Sequence, residues 1–342
     1  MMFALAESFS KCNYSVLVAA DKKWQSRYQF DFFSVNAPKL IRPLVKKLRI
    51  TLKRPQPDLT ICDSWKSVAA VPNQSGKLIV LAHGQEYLSP SSRRKKAIRN
   101  ALNRADLVVA SSAMTADLVL RISPTVPVEV IYPTYMVSRA MQEPRKYRHP
   151  QETTVIVSLC RIEKRKGLLQ SAKALIKLYK EGFRFTWKIA GSGPDLAELK
   201  AFVHASDIAK ACQFLGRVSD GDKEDLLANA DLFLMPSYQE GKSLEGFGIS
   251  YIEAAKYGVP SIAGEVGGAP EAVLNGITGW CLDGSNSDTI AEALRDALSD
   301  PVKLERYSVA ALQRFNSDLA ADVSFEKLRL LSQSDVNSKD TA

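Results

Sequence analysis

The sequence predicts an α/β protein in which two doubly wound parallel sheets follow one another, each with helices on both faces. Three observations predict this. Short, almost wholly apolar runs such as YSVLVAAD (14–21), KLIVLAHG (77–84), TTVIVSLC (153–160) and ADLFLMPS (230–237) read as parallel strands buried on both faces. Helical patterns lie between them. The 342 residues exceed what one hydrophobic core ordinarily serves, so two domains are expected.

In chain order, FALAESFSKC (3–12) reads as a helix and YSVLVAAD as the first strand. The aromatic segment 22–37, with Trp24, Tyr28, Phe30, Phe32 and Phe33, reads as a strand and loop of the sheet, or as an acceptor or membrane contact. In KLIRPLVKKLRITLKR (39–54), Leu40, Ile41, Leu44, Val45, Leu48 and Leu52 form an apolar stripe at helical spacing, with Pro43 in the first turn. Two readings stand for it: a surface helix with a solvated basic face, or a helix lying on anionic lipid. PDLTICD (57–63) and KLIVLAHG are strands with a short helix near 64–71 between them. SPSSRRKKAIRNALNRA (89–105) opens a second basic helix. ADLVVASS (105–112), a helix over AMTADLVLRI (113–122) and VEVIYP (128–133) complete this half.

The polar stretch SRAMQEPRKYRHPQE (138–152) reads as the linker. Strands TTVIVSLC, FTWKIAG (185–191), ACQFLG (211–216), ADLFLMPS and VPSIAG (259–264) then alternate with helices. GGAPEAVLNGITGWCL (267–282) supplies a short helix and a strand. Helices at 287–298 and 318–334 finish the fold, and DVNSKDTA reads as a disordered tail.

No apolar run approaches the roughly 18–20 residues that span a bilayer. No charged-then-apolar leader with a cleavage site is visible, which argues against secretion. The five cysteines (Cys12, Cys62, Cys160, Cys212, Cys281) are scattered and form no C-x-x-C, as expected of reduced thiols. Charge is uneven. Residues 1–136 hold 20 Lys/Arg against nine Asp/Glu, a balance of +11 where the whole chain carries +9, so the remainder carries −2. A basic first half fits a polyanionic partner: an anionic membrane surface, a phosphorylated acceptor or nucleic acid.

The stretch SYQEGKSLEGFGISYIEAAKYGVPSIAG (237–264) organises the second half. It sets Glu245 and Glu253 eight positions apart, with Gly246-Phe247-Gly248 opening a helix between them. Glycine lets backbone approach a ligand, and the unpaired N–H groups and dipole of a helix start favour an anion such as phosphate. Ile249 and Ile252 are expected to face the core. Glu253, one turn along, can accept two hydroxyl hydrogen bonds of the kind a ribose diol offers. The plain alternative is an amphipathic helix with a glycine-rich entry and two solvated glutamates.

With EGFG, EAAKYGVPSIAG and GGAPEAV around it, the stretch resembles the E-x7-E signature of retaining glycosyltransferases of family GT4, the group 1 glycosyltransferases. The longer form PSYQEGKSLEGFG resembles the branch that contains mannosyltransferases of lipid-linked glycan assembly. The resemblance covers 153–298 closely and reaches back to about residue 5. It implies a GT-B fold, with two Rossmann-like domains facing across a cleft. An acceptor-side domain would span 1–137 and take the C-terminal helix (318–342). A donor-binding domain would span 138–317.

The resemblance also implies roles. Arg161 and Lys166, spaced R-x4-K-G, would grip the donor diphosphate, where negative charge grows as the glycosidic bond breaks. Gly246, Phe247, Gly248 and Ile249 would offer the phosphates or sugar their backbone, Glu245 would hold the donor sugar and Glu253 the ribose. Gly191, Gly193 and Arg217-Val218 would shape the nucleotide pocket. His83, at a strand end, aligns with a histidine beside the donor sugar and is, with Glu245, the candidate catalytic residue. His149 and His204 receive no role. Asp220-Gly221-Asp222 reads as a helix start capped by Ser219 or Asp220 rather than a metal site, and neither metal nor cofactor is expected.

The expected activity is transfer of a hexose from a nucleotide sugar to an acceptor hydroxyl in polysaccharide or glycolipid assembly. The expected partners are that donor and a glycan or lipid-linked acceptor, at the cytoplasmic side and peripheral on the inner membrane face. Two departures stand against it. The strand and glycine-rich loop that normally precede the first helix, the strand being central in its sheet, are not visible. IYPTY (131–135) replaces the Pro-Asn-Gly turn common at the domain junction. A catalytically impaired nucleotide-sugar-binding subunit or a truncated transferase is therefore the alternative. A nucleic-acid binder lacks any base-stacking motif, and a sugar-nucleotide epimerase fits EGFG less well.

Overall fold

The computed structural model describes residues 2–21, 31–38, 40–53, 56–73, 76–134 and 153–333. The linker, most of the aromatic segment and the tail lie outside these. The chain divides into two compact units, Met1–Met136 with Ala321–Ala342, and Val137–Ala320. Both are the parallel α/β structures that the alternation predicts.

In the first unit α1 (Met2–Lys11) leads to the parallel pair β1 (Leu17–Ala20) and β2 (Asp31–Ser34). After α2 (Arg42–Lys53) come β3 (Leu59–Cys62), a 3-10 helix (Trp65–Ala70), β4 (Lys77–Ala82), α3 (Ser92–Leu102), β5 (Leu107–Ala110), α4 (Ala113–Leu120) and β6 (Val128–Val130). These strands form a parallel ladder in the order β3-β4-β5-β6. The sheet is thus in two pieces, and among the described residues no strand joins β1 or β2 to β3. Helix α1 and the chain entering β1 share a core with the larger piece. Leu5 and Phe9 of α1 pack with Ile79, Leu81 and Val109, and Val16 and Ile61 join them from the edges. The other face buries Val80, Ile98, Leu102, Val108 and Val119. Burial on both faces is why β5 reads LVVA without a polar residue. The side chain of Ser112 caps α4, accepting from the Thr115 N–H at 3.0 Å.

The second unit runs β7 (Thr154–Leu159), α5 (Leu168–Lys180), β8 (Phe185–Ala190), α6 (Leu196–His204), β9 (Cys212–Gly216), α7 (Asp220–Ala228), β10 (Leu232–Met235), α8 (Ile249–Lys256), β11 (Ser261–Gly264), α9 (Ala269–Ala272), β12 (Gly279–Leu282), α10 (Ser287–Ser299) and α11 (Pro301–Arg314). Its six strands are all parallel, in the order β12-β11-β10-β7-β8-β9. The winding reverses between β7 and β10, and ligands of open α/β sheets gather outside the carboxyl ends of strands at such a point. The core beneath it holds Ile156, Leu175, Trp187, Leu234 and Ile262. Trp187, fully buried, donates its indole N–H to Ser158 at 2.9 Å. The last helix, α12 (Ala321–Gln333), belongs to the first unit, where Leu328 sits in the core beside α1.

Three expectations are corrected. The sequence reading passed from 298 to 318 without a helix, yet α11 fills that interval. Asp300-Pro301 looks like a break but is a start: Asp300 caps, accepting from the Lys303 N–H at 2.9 Å, and Pro301 takes a first-turn place that needs no N–H. Ile249 does not face the core. It is 46% exposed, while Ile252 is buried, because a residue in the first turn beyond Gly248 sits over the helix entry rather than over the sheet. Finally, the apolar stripe of α2 does not cover the sheet, and its basic face is not wholly solvated. Helix α2 has no buried residue, and Arg42 and Lys46 turn inward to Asp21.

A core position of the second unit gives a direct check. Leu175 is fully enclosed between α5 and the sheet. Leu175→Ala is expected to destabilise this unit by about 2–5 kcal/mol, read as a lowered urea midpoint.

Candidate functional site

The site of the second unit is assembled where the winding reverses. After β7 the chain passes through Arg161, Ile162 and Glu163, then a 3-10 turn over Lys164–Lys166, into α5. Gly167, at φ 71°, joins turn to helix, and a Cβ there would lie 2.2 Å from the Pro236 carbonyl oxygen. Only glycine lets this loop press so closely against the chain leaving β10. The Tyr238 N–H donates to the Arg165 carbonyl at 2.9 Å and ties the two loops further.

This packing brings distant charges together. The buried Glu245 carboxylate accepts from the Lys166 ammonium and, at 3.1 Å, from Arg165 Nη1. Arg165 also donates to Glu163, its Nε lying 2.7 Å from Oε1. Two cations thus face two carboxylates in a largely dehydrated cluster. Arg161 stands beside it with its side chain 72% exposed, its Nε 3.7 Å from Glu163 Oε2. It is the cation left most open to an incoming anion.

Helix α8 begins beside the cluster. Gly248 caps it at φ 94°, and a Cβ there would strike the Tyr251 ring at 2.4 Å. Tyr251 is buried and donates its hydroxyl to the Met235 carbonyl at 2.5 Å, which fixes the helix on β10. Burial pushes that phenol well above its usual range. The Gly268 N–H donates to the Glu245 carbonyl at 3.0 Å, so the GGAPEAV segment braces the run from behind. The four residues Gly246 to Ile249 therefore form a fixed turn into a helix N-terminus, next to Lys166.

Glu253, one turn along α8, is buried and accepts from Lys223 Nζ at 2.8 Å. Lys223 also reaches Asp220 at 3.2 Å. Burial raises the Glu253 carboxyl above the ordinary glutamate value, Lys223 pulls it back down, and Asp220 adds to the rise. Near it on α8, Lys256 is buried, and burial lowers its pKa while Glu224, at 3.8 Å, opposes that. Asp222 and Ser219 close a capping box on α7, with the Asp222 N–H bonded to Ser219 Oγ at 3.1 Å. Among the described residues, no three His, Cys, Asp or Glu side chains gather as metal ligands. Gly191 and Gly193 lie against the β7 exit, where a Cβ would meet the carbonyl oxygens of Cys160 and Ile162.

His83 belongs to the first unit. It follows β4 at the carboxyl end of the strand, and its Nε2–H donates to the Asp63 carbonyl at 2.9 Å. Its backbone N–H is held by Glu86 at 3.0 Å. The ring is exposed and edges an apolar hollow with Leu5, Leu81, Val109, Thr134 and Phe325.

The second unit thus gathers Arg161, Lys166, Glu245, the glycine run and Glu253 around one strand-end region, and His83 lies in the other unit. Three participants escaped the sequence reading: Glu163, Arg165 and Lys223. Glu163 and Arg165 stood in the RIEKRKG loop beside the two residues that were chosen. Lys223 lies 30 positions from Glu253, and no spacing connects them.

A fold of two such units, with this site at the switch point of the second, is that of the GT-B glycosyltransferases. The family model of group 1 glycosyl transferases matches residues 141–314, and that of Glycosyltransferase Family 4 matches 2–139. The chain belongs to this family. A GDP-mannose-dependent alpha-(1-6)-phosphatidylinositol monomannoside mannosyltransferase of Mycolicibacterium smegmatis is 32% identical over 246 residues, covering 68% of this chain and 64% of the relative. A glycogen synthase of Mycobacterium tuberculosis is 33% identical over 158 residues, covering 46% of this chain and 37% of the relative. The matches therefore span less than two thirds of these relatives' length. Among solved structures, Anabaena Alr3699/HepE in complex with UDP and glucose superposes with a TM-score of 0.77 at 19% identity, covering 97% of this chain and 95% of that one. Sucrose-phosphate synthase from Thermosynechococcus elongatus does so with 0.77 at 18% identity, covering 96% and 91%.

The Glu253 environment has a consequence for pH. Its carboxyl binds a proton more tightly in the fold than in the unfolded chain. Its contribution to stability is therefore greatest at low pH and falls as pH rises through the raised value. Glu253→Gln removes that term. The unfolding free energy of the variant relative to wild type is expected to increase from the acid side of the glutamate range toward neutrality, measured by urea unfolding at a series of pH values. A flat difference would contradict the raised carboxyl.

Proposed function

We propose that the chain is a retaining glycosyltransferase that moves a hexose from a nucleoside diphosphate sugar to an acceptor hydroxyl. The observation that carries this reading is the dehydrated Glu245 carboxylate clasped by Lys166 and Arg165 beside the α8 N-terminus. In the proposed complex the diphosphate lies against Lys166, Arg161 and the backbone from Gly246 to Ile249. As the bond from sugar C1 to phosphate oxygen breaks, charge accumulates on the departing diphosphate. Cations and a helix start already in place stabilise that charge without reorganising. A new bond forms from C1 to the acceptor oxygen on the same face, and the acceptor proton passes to the departing phosphate oxygen. Glu245 holds donor-sugar hydroxyls, Glu253 accepts from the ribose diol, and His83 lies beside the donor sugar.

A GDP-activated hexose, mannose first, is the donor this reading favours, because the relatives above 30% identity include enzymes named for GDP-mannose. A glycan or lipid-linked acceptor follows from the same names. No metal is required, since the cations and helix start supply the charge that a divalent ion would bring.

Calorimetric titration with GDP, UDP and ADP tests the donor site. GDP is expected to bind best. Arg161→Ala, at an exposed side chain, is expected to weaken GDP about 10–100-fold, the scale of one lost charge-assisted hydrogen bond, with an unchanged melting temperature. Equal binding by wild type and variant would remove Arg161 from the diphosphate site.

With GDP-mannose and a lipid-linked mannoside acceptor, turnover is expected to survive EDTA. NMR of the product is expected to show the donor's anomeric configuration retained. Loss of turnover in EDTA that Mg²⁺ restores would overturn the metal-free reading, and an inverted anomer would overturn retention.

A further inference from the structure

Helix α2 is inside out. A surface helix of a soluble protein ordinarily turns its apolar stripe to the core and its charges to water. Here the charges turn in. Arg42 donates to Asp21 at 3.3 Å and to the Ala37 carbonyl at 3.0 Å, Lys46 meets Asp21 at 2.6 Å, and Arg49 donates to the Ser34 carbonyl at 3.1 Å. These contacts hold the helix against the end of β1 and the chain around β2. The leucines turn out. Leu44, Leu48 and Leu52 occupy one row at four-residue spacing, continued backward by Leu40, and they are 67%, 62%, 75% and 93% exposed. Four aligned, bare leucines form a contiguous apolar strip of the kind that marks an interaction surface.

The charge around the strip says what covers it. Residues 39–54 hold seven Lys/Arg and no Asp/Glu. Lys47 is held by Asn73 at 3.0 Å and Arg49 by Ser34, whereas the exposed Lys53 beside Leu52 has a long stem able to lay its head beside an apolar layer. Helix α3 packs on the same 3-10 helix as α2 and carries the exposed consecutive cations Arg93, Arg94, Lys95 and Lys96. Residues 1–136 carry +11. A second copy of this chain would set that charge against itself.

We infer that the outward row Leu40/Leu44/Leu48/Leu52 docks the first unit on an anionic lipid surface, the leucines entering the headgroup–acyl boundary and Lys53 with the exposed cations of α3 meeting the headgroups. Insertion supplies affinity and the cations supply selection for anionic lipid. This surface is separate from the donor site and does not depend on the nucleotide reading.

The test is co-sedimentation of the full chain with large vesicles, either of phosphatidylcholine alone or with one third phosphatidylglycerol. Wild type is expected to partition onto the anionic vesicles, less in 0.5 M salt, and weakly onto the neutral ones. Leu44→Ser/Leu48→Ser, at positions that make no core contact, is expected to reduce that partition at least about tenfold while the melting temperature stays the same. GDP binding in the same variant reports on the donor site separately. Three results would overturn the inference: no binding of wild type to anionic vesicles, equal binding by the double variant, or a wild-type dimer in sedimentation velocity that the double variant abolishes. The last would assign the row to a second copy.

Discussion

The clasp of Glu245 by Lys166 and Arg165 is the interaction on which the second unit depends. It joins the loop leaving β7 to the segment entering α8, two stretches 79 residues apart in the case of Lys166. Its members are buried, so each charge is viable only with the others present. Removing one partner of such a pair strands the rest at a cost of about 3–5 kcal/mol. The glycines around it are the steric condition for the clasp. Gly167 lets the β7 loop reach the β10 chain, and Gly267 and Gly268 let the loop after β11 lie against the backbone of Glu245 and Gly246. The cluster is balanced within itself, and of its neighbouring cations Arg161 stands largely in water.

The sheet order explains why this arrangement lies where it does. Strands β7, β8 and β9 are laid outward in one direction, and β10, β11 and β12 in the other. The loops after β7 and β10 therefore leave adjacent strands at the point where the winding reverses, and they are tied to each other there by the close approach of Gly167 to Pro236 and by the Tyr238 N–H bond to Arg165. Helix α8 starts beside that junction, capped by Gly248. Its second glutamate is held by Lys223 on α7, so the two carboxylates of the E-x7-E pair have different electrostatic settings. Glu245 faces two cations. Glu253 faces one, with Asp220 nearby, and burial dominates its titration. Two glutamates on one short segment are thereby differentiated by what packs against each.

Much of the fold was legible in the sequence because parallel strands buried on both faces leave an unmistakable apolar run. LVVA, LFLM and SIAG are buried at every position, and each was read as strand. The backbone of the site was legible for a similar reason, since glycines at close approaches recur at set distances from the charges they accommodate. What escaped was tertiary. The pairing of Lys223 with Glu253 and of Arg165 with Glu245 arises from helices and loops meeting across the sheet. Helix α11 escaped because the interval 299–317 was passed over, although Asp300 and Pro301 make a cap and a first turn. In α2 the stripe was legible and its direction was not: periodicity gives the two faces of a helix, and which one meets water follows from tertiary contacts such as those of Arg42 and Lys46 with Asp21 and of Arg49 with Ser34.

Residue Asp21 gives that helix a mechanical connection. It directly follows β1, whose ladder with β2 is only four residues long and shares no strand pairing with the larger piece of its sheet among the described residues. An isolated two-stranded ladder is marginal without something packed on it. Here α1 and the cations of α2 provide that support, so the rigidity of β1 and β2 is borrowed from a helix whose far side is bare. Whatever occupies the bare side restrains the helix, and the restraint passes through two ion pairs into the ladder. Order in this corner of the first unit therefore depends on the charges around Asp21 as well as on strand pairing.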